Sequence, residues 1–293
     1  MSVGDYFYEV RLVKPLLKWA GGKRHIAPLV QSHFPESWNS GRYFEPFLGG
    51  AAIFLHVNPQ RAILADVNAH LVKFYTDVQV DPLLLVSQIR EIGRQFDEFD
   101  DETPEGMQEK QLYFYDLRTQ FNSSLTSPEH SALMYALNKL CFNGLYRENS
   151  KGAFNVPFGK RKIFPGFTDE EFLEVSRLLS GVEIYNCDFE AAVSSAVAGD
   201  FVYFDPPYVP IDATAHFTSY SSSGFGIEDQ QRLAGLMFEL AERGVKALMS
   251  NSATELTKEI YAGLASETIS APRMVSAKGS SRKPVDELLI MNF

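Results

Sequence analysis

Cysteine is almost missing: Cys141 and Cys187 are the only two in 293 residues. Two thiols are too few for a disulfide framework or a four-thiolate metal site. The expectation that follows is a reducing, cytoplasmic setting. No apolar run approaches the roughly 18 residues of a membrane span, and no signal-peptide core opens the chain, so no membrane association is expected. The 6 histidines are scattered without ligand spacing, so no metal is expected either. Internal repeats and low-complexity tracts are lacking too. What remains, 45% apolar and 22% charged residues, is a globular composition rather than a disordered or fibrous one. The length allows one large core or two modest domains.

A net charge of −10 by itself argues against a polyanionic partner. The placement of the basic residues argues the other way. Lys139, Arg147, Lys151, Lys160, Arg161 and Lys162 fall in one stretch that holds a single acid, Glu148. Lys14, Lys18, Lys23 and Arg24 cluster before it, and Arg273, Lys278, Arg282 and Lys283 after it. If the three stretches converge, an acidic protein still presents a phosphate-binding face.

Periodicity predicts an α/β sheet. Strand-like runs are Tyr43–Phe47, Ala62–Asp66, Val182–Tyr185, Phe201–Phe204, Lys246–Met249 and Leu288–Met291, with a helical pattern over Gln230–Arg243. Residues 69–167 change character and read as mostly helical. Within them Ser127-Pro128-Glu129 looks like an N-cap with proline in the first turn, opening a helix that runs to Cys141. Asn143-Gly144, Lys151-Gly152 and Pro157-Phe158-Gly159 signal turns and a hairpin.

Two constellations carry chemistry. In Glu45-Pro46-Phe47-Leu48-Gly49-Gly50, a strand meets a glycine turn and then a helix, which lets a ligand approach backbone N–H groups. Asp66, about 20 residues on, is placed to hold a ribose through its hydroxyls. The spacing is not that of a dinucleotide fingerprint, so a nucleoside-bearing cofactor of another kind is indicated. The second constellation is Asp205-Pro206-Pro207-Tyr208, at the end of an apolar strand. Proline stiffens the backbone and removes N–H donors, so the Asp205 carboxylate and the Pro206 carbonyl become fixed acceptors. Two acceptors beside an aromatic face suit an exocyclic amino group on a flat, stacked base.

These motifs, with Lys18-Trp19-Ala20-Gly21-Gly22-Lys23 before them, resemble the Dam-type (D12 class, alpha group) DNA adenine-N6 methyltransferases. Cys141-Phe142-Asn143-Gly144-Leu145-Tyr146-Arg147 and Gly152-Ala153-Phe154-Asn155-Val156-Pro157-Phe158-Gly159 are similar to that family's target-recognition hairpin. Ala213-Thr214-Ala215-His216-Phe217-Thr218 and Val285-Asp286-Glu287-Leu288-Leu289 extend the likeness to nearly the whole chain, in the family's motif order.

The resemblance implies a Rossmann-like, seven-stranded methyltransferase sheet. Residues 1–68 and 168–293 would form the catalytic domain, and 69–167 an inserted target-recognition domain. S-adenosylmethionine would lie against Trp19, Lys23, Glu45, Phe47 and Gly49, with Asp66 on its ribose and Asp188 near its adenine. Asp205, Pro206, Pro207 and Tyr208 would receive an adenine flipped from duplex DNA, next to the methyl donor. Lys18, Asn143, Leu145, Arg147, Pro157 and Lys160 would contact double-stranded DNA, and the matching family residues point to GATC. A monomer is expected, working in the cytoplasm of a bacterial or phage-infected cell.

Three departures stand out. Gly49-Gly50-Ala51 shifts the family's second glycine by one place, which bears on cofactor affinity rather than identity. Tyr146 replaces a usual small residue, and Glu148 adds a negative charge beside Arg147. Alternatives at this point are a different or relaxed DNA site, a restriction-modification partner, an RNA or protein-amide methyltransferase, and a catalytically silent DNA-binding protein.

Overall fold

Strands that are apolar along their whole length, rather than at alternate positions, need cover on both faces. The computed structural model, which describes residues 13–209, 224–271 and 285–293, provides it. β1 (Tyr43–Glu45), β2 (Ala62–Asp66) and β4 (Phe201–Phe204) are buried almost throughout. With β3 (Glu183–Asn186) and β5 (Lys246–Ser252) they form a parallel array. β6 (Ala265–Ala271) and β7 (Val285–Met291) complete a seven-stranded sheet in the order β3-β2-β1-β4-β5-β7-β6. β7 runs antiparallel to both of its neighbours. Its register sets Glu287 opposite Ser252.

β6 has no counterpart in the sequence reading. Among the described residues it pairs on one side only, and Ala-Ser-Glu-Thr-Ile-Ser-Ala shows the weak apolar signal of an edge strand.

Strand order reverses between β1 and β4, and ligands of open α/β sheets bind at such a switch, outside the carboxyl ends of the strands. Glu45, Asp66 and Asn186 end their strands there, and Asp205 follows β4 directly.

Helices cover both faces. On one side Phe44, Val202, Phe204 and Met249 pack with Phe189, Leu233, Met237 and Leu240. These last come from α8 (Phe189–Ala192) and α9 (Ile227–Glu242), and α10 (Glu255–Ile260) follows β5. On the other side lie α1 (Ala27–Gln31), α2 (Ala52–Val57), α3 (Ala69–Val80), α4 (Pro82–Asp97), α5 (Pro104–Ser123), α6 (His130–Leu140) and α7 (Asp169–Leu179). The core of that side starts at Tyr43, Leu64, Phe201 and Tyr203 and continues without a break to Phe114, Phe121, Leu133, Leu137 and Phe158.

Side-chain caps start the long helices where the chain permits. Asn68 accepts from Leu71 N, Asp81 from Leu84 N and Thr103 from Gly106 N, while Thr168 and Glu171 form a capping box. The Ser127-Pro128 expectation is corrected. Ser127 Oγ accepts from Glu129 N within a turn, and α6 begins later, at His130, without a side-chain cap.

Residues 141–159 form the expected hairpin, with antiparallel bridges at Cys141–Phe158 and Glu148–Phe154. Gly144 is required at its base. Its φ is +67°, and a Cβ there would sit 2.5 Å from Lys18 Cδ.

Candidate active site

Asp205 leaves the end of β4 and meets Lys23 from the N-terminal glycine turn: Lys23 Nζ lies 2.9 Å from Asp205 Oδ1. The ammonium also donates to Gly21 O at 2.8 Å and stands 4.5 Å from the centre of the Tyr208 ring. Only 4% of the Lys23 side chain is exposed, so these contacts replace its water. The Tyr208 hydroxyl donates to Glu287 Oε2 at 2.8 Å. Burial raises the pKa of both Asp205 and Glu287, with Lys23 opposing the shift in each. Glu45 is buried on the next strand, accepts from the Tyr43 hydroxyl at 2.6 Å and is pushed up to about 8, chiefly by burial.

The backbone after Asp205 is fixed from behind. Buried Gln230 on α9 donates to Pro207 O at 2.8 Å, and its own oxygen accepts from Tyr261 and Asn251. Asn251 Oδ1 accepts from Val209 N, and Ser252 Oγ donates to Val209 O. Pro206 is buried and Pro207 exposed within this frame.

A second group of residues lines the neighbouring strand ends. Asp66 accepts from Gly49 N at 3.0 Å and from Asn68 N at 2.9 Å, which fixes the glycine turn against β2. Burial raises its pKa and those backbone bonds lower it. Gly49 has φ +47° and faces the Trp19 indole so closely that a Cβ would stand 3.0 Å from Cδ1. Phe47 stacks on Phe189 at 5.6 Å and meets Phe225 edge-on at 5.5 Å. Asp188 caps α8 through Glu190 N and is ion-paired with Arg232 at 3.2 Å.

The family model of the D12 class N6 adenine-specific DNA methyltransferases matches residues 19–275. The chain belongs to this class. It is 39% identical over 284 residues to a DNA adenine methylase of Serratia marcescens, covering 95% of this chain and 98% of the relative. To a DNA adenine methylase of Escherichia coli (strain K12) it is 34% identical, covering 95% of each chain. To a type II methyltransferase of Lactococcus lactis subsp. cremoris it is 37% identical, covering 96% of each. It is an enzyme that methylates adenine N6 in DNA, built on the expected sheet.

In this methyltransferase the expected site residues fall into three sets. Lys23 touches both Asp205 and Tyr208. Trp19, Gly49 and Asp66 form a contiguous wall beside them. The hairpin residues Asn143, Leu145, Arg147, Pro157 and Lys160 are exposed, as is Lys18. Lys18 is held to the hairpin through its backbone, because buried Asn138 accepts from Lys18 N and donates to Lys18 O and Gly144 O. The first two basic stretches thus meet. Arg273, Lys278, Arg282 and Lys283, like the Ala213–Thr218 motif, lie outside the described residues.

Two lysines counted with the basic surface do not belong to it. Lys23 is buried on Asp205, and Lys139 donates to Leu16 O over the Tyr135 ring, where burial pushes it down to about 8. Glu148 is less of a threat to Arg147 than the sequence suggests. It accepts from Tyr146 at 2.5 Å, while Arg147 Nε donates to Asn155 Oδ1 at 2.6 Å. Among the described residues no group of acids, histidines and cysteines is placed to hold a metal ion, and no helix is long and apolar enough to cross a membrane.

Sequence reasoning missed Glu287, Gln230, Asn251 and Asn138. Signals existed for two of them: Glu287 lies in the Val285–Leu289 motif matched to the family, and Ser250-Asn251-Ser252 is a polar run at the end of an apolar strand pointing at the switch.

Proposed function

We propose that this enzyme transfers a methyl group from S-adenosylmethionine to an adenine flipped out of duplex DNA, within GATC. The observation that carries the chemistry is the contact set of Asp205: a carboxylate at the end of β4, paired with a buried lysine, ahead of two prolines and a fixed aromatic ring. The methyl donor, when bound, supplies a methyl group already activated on a sulfonium. The residues present suit it. Asp66 and Asp205, at the carboxyl ends of β2 and β4 on either side of β1, supply carboxyl groups for a cationic ligand, Glu45 ends β1 between them, Asp188 follows β3, and Phe47 on Phe189 offers a flat apolar surface. Beneath the same acids the Tyr75 hydroxyl is buried without a partner among the described residues, within electrostatic reach of Glu45 and Asp66.

In this reading the chain's task is positioning. The adenine amino nitrogen is a weak nucleophile because its lone pair is spread into the ring. Hydrogen bonds from its two N–H groups to Asp205 and to Pro206 O strengthen as positive charge develops there, which favours the transition state over the ground state. As the new N–C bond formed, the methyl group's bond to sulfur would break and leave a neutral thioether, and the nitrogen would give up one proton, for which Asp205 is the hydrogen-bonded acceptor. Tyr208 supplies a stacking face for the extruded base. Trp19, Lys23, Glu45, Phe47, Gly49, Asp66 and Asp188 bound the donor's side. Residues 69–167 act as the recognition unit and the enzyme acts as a monomer.

Asp66→Ala is expected to weaken donor binding by about 1–3 kcal/mol, the loss of a charge-assisted hydrogen bond to a hydroxyl. The turn should loosen as well, because Gly49 N loses its acceptor. Calorimetry tests this, and unchanged affinity would move the ribose contact elsewhere, with Glu45 the first candidate.

Support for the site comes from the hairpin, where Leu145, Arg147 and Pro157 stand exposed together. Arginine on guanine O6 and N7 is the commonest specific major-groove contact. Methylated plasmid should resist a nuclease blocked by methyl-GATC. Cutting by that nuclease, with N6-methyladenine mapped to other sites, would replace the site and keep the chemistry. Arg147→Ala should lose about 1–3 kcal/mol of discrimination at one guanine, whereas Lys160→Ala should weaken all sequences alike and flatten the salt dependence. Competition binding across salt concentrations separates the two, and uniform loss from Arg147→Ala would rule out base reading by it.

A further inference from the structure

Tyr146 belongs to the hairpin, yet its ring lies against the donor side of the site. It stacks on Trp19 with centroids 5.1 Å apart and planes 26° from parallel. Trp19 in turn closes on the glycine turn: its indole is the nearest group to Gly49, and its Cβ would be 3.3 Å from a Cβ on Gly50. A side chain at Gly49 would be strained by its φ of +47° and would press on that indole, so the indole plane and the turn's backbone constrain each other. Tyr146 is also tied into both arms of the hairpin. Its hydroxyl donates to Glu148 Oε1 at 2.5 Å, and its ring packs 5.6 Å from Phe154 on the opposite arm. One side chain thus joins the arm that carries Arg147 to the wall that carries Gly49 and Asp66.

We propose that Tyr146 is a positioning residue for the methyl-donor site: from the DNA-reading hairpin it clamps Trp19 over the Gly49 turn, so that seating the hairpin on duplex tightens donor binding. This rests on the donor and DNA assignments above and adds a linkage between them. A shared stacked pair is the physical carrier. If DNA orders the hairpin, it orders Tyr146, and the freedom that Trp19 would otherwise lose on donor binding is already spent. Linkage makes the effect reciprocal: the donor must tighten duplex binding by the same factor.

The test uses the full chain, S-adenosylmethionine, and a duplex carrying whichever site the plasmid experiment identifies. In the parent enzyme duplex should tighten donor binding roughly five- to tenfold. Tyr146→Ala should reduce that factor to less than about twofold, while Tyr146→Phe, which keeps the ring, should retain most of it. An alanine variant with the parent's linkage factor overturns the proposal. Should that variant fold poorly, a second measurement stands without it. The chain has 2 tryptophans, so Trp38→Phe leaves Trp19 as the only indole. Its emission should shift when duplex binds in the absence of donor, and no shift would also overturn the proposal. A parent enzyme that binds no donor at all would instead sink the donor assignment, so the two failures are told apart.

Discussion

Replacing Asp205 with asparagine is expected to lower single-turnover methylation about 10²–10³-fold, the scale on which removing one preorganised transition-state contact acts. Asparagine keeps the shape and one acceptor oxygen but loses the charge that favours a developing positive nitrogen. The same carboxylate answers the buried Lys23 ammonium, so Asp205→Ala also leaves that charge short of a partner. Gly21 O and the Tyr208 ring still contact the ammonium, and the stability loss should be about 1–3 kcal/mol. The fold is weakened, not lost.

The sign of the pH dependence follows. Burial holds the Asp205 pKa above the usual carboxylate value, and in the proposed mechanism the ionised form is the working one. Activity therefore falls as pH drops through that raised pKa, and the acidic limb lies above the range of a free aspartate. In Asp205→Asn this contribution to the limb disappears. Rapid-quench measurement across pH, with thermal melts alongside, checks both statements. A variant with near-parent single-turnover rates would remove Asp205 from the reaction.

Tyr208→Ala should cost about 1–3 kcal/mol in kcat/KM on a matched duplex, the range measured for a base stacked on an aromatic side chain. Lys23 occupies one face of the ring, so the proposed base stacks on the other. Because extrusion costs less from a mismatch or a single strand, part of the activity should return on those substrates. Tyr208→Phe isolates the hydroxyl. It keeps the ring but frees it from Glu287, and should lose only about 1 kcal/mol. Comparing matched and mismatched targets for both variants is decisive, since an equal deficit on both would assign Tyr208 a role other than stacking.

The parallel strands and their carboxyl-end acids could be read from the chain because they are continuous apolar runs that stop at a charged or polar residue. Ala62–Asp66 and Phe201–Phe204 have the expected bounds. Contacts made by sheet order could not be read. Glu287 reaches Tyr208 only because β7 inserts between β5 and β6, and no local pattern announces an antiparallel insertion. Lys23 looked like part of a basic surface because charge counts carry no burial. Its pairing with Asp205 spans most of the chain. Gln230 sits in a helix whose polar positions otherwise face solvent, and only the fold shows that this one turns inward.

The unbroken core on one side of the sheet sets what evolution can exchange in this enzyme. Tyr43 and Tyr203 of the sheet belong to the same packed body as Phe114 and Phe121 of the helical segment, and Asn138 bonds the N-terminal segment to the hairpin base. A helical segment transplanted whole from a relative would arrive with mismatched packing along that seam, and close-packed interiors tolerate such mismatches poorly. The exposed positions Leu145, Arg147 and Pro157 carry no such debt to the interior. On the proposed reading of DNA by these side chains, a change of site preference disturbs the core less when made at single hairpin positions than when the whole segment is exchanged.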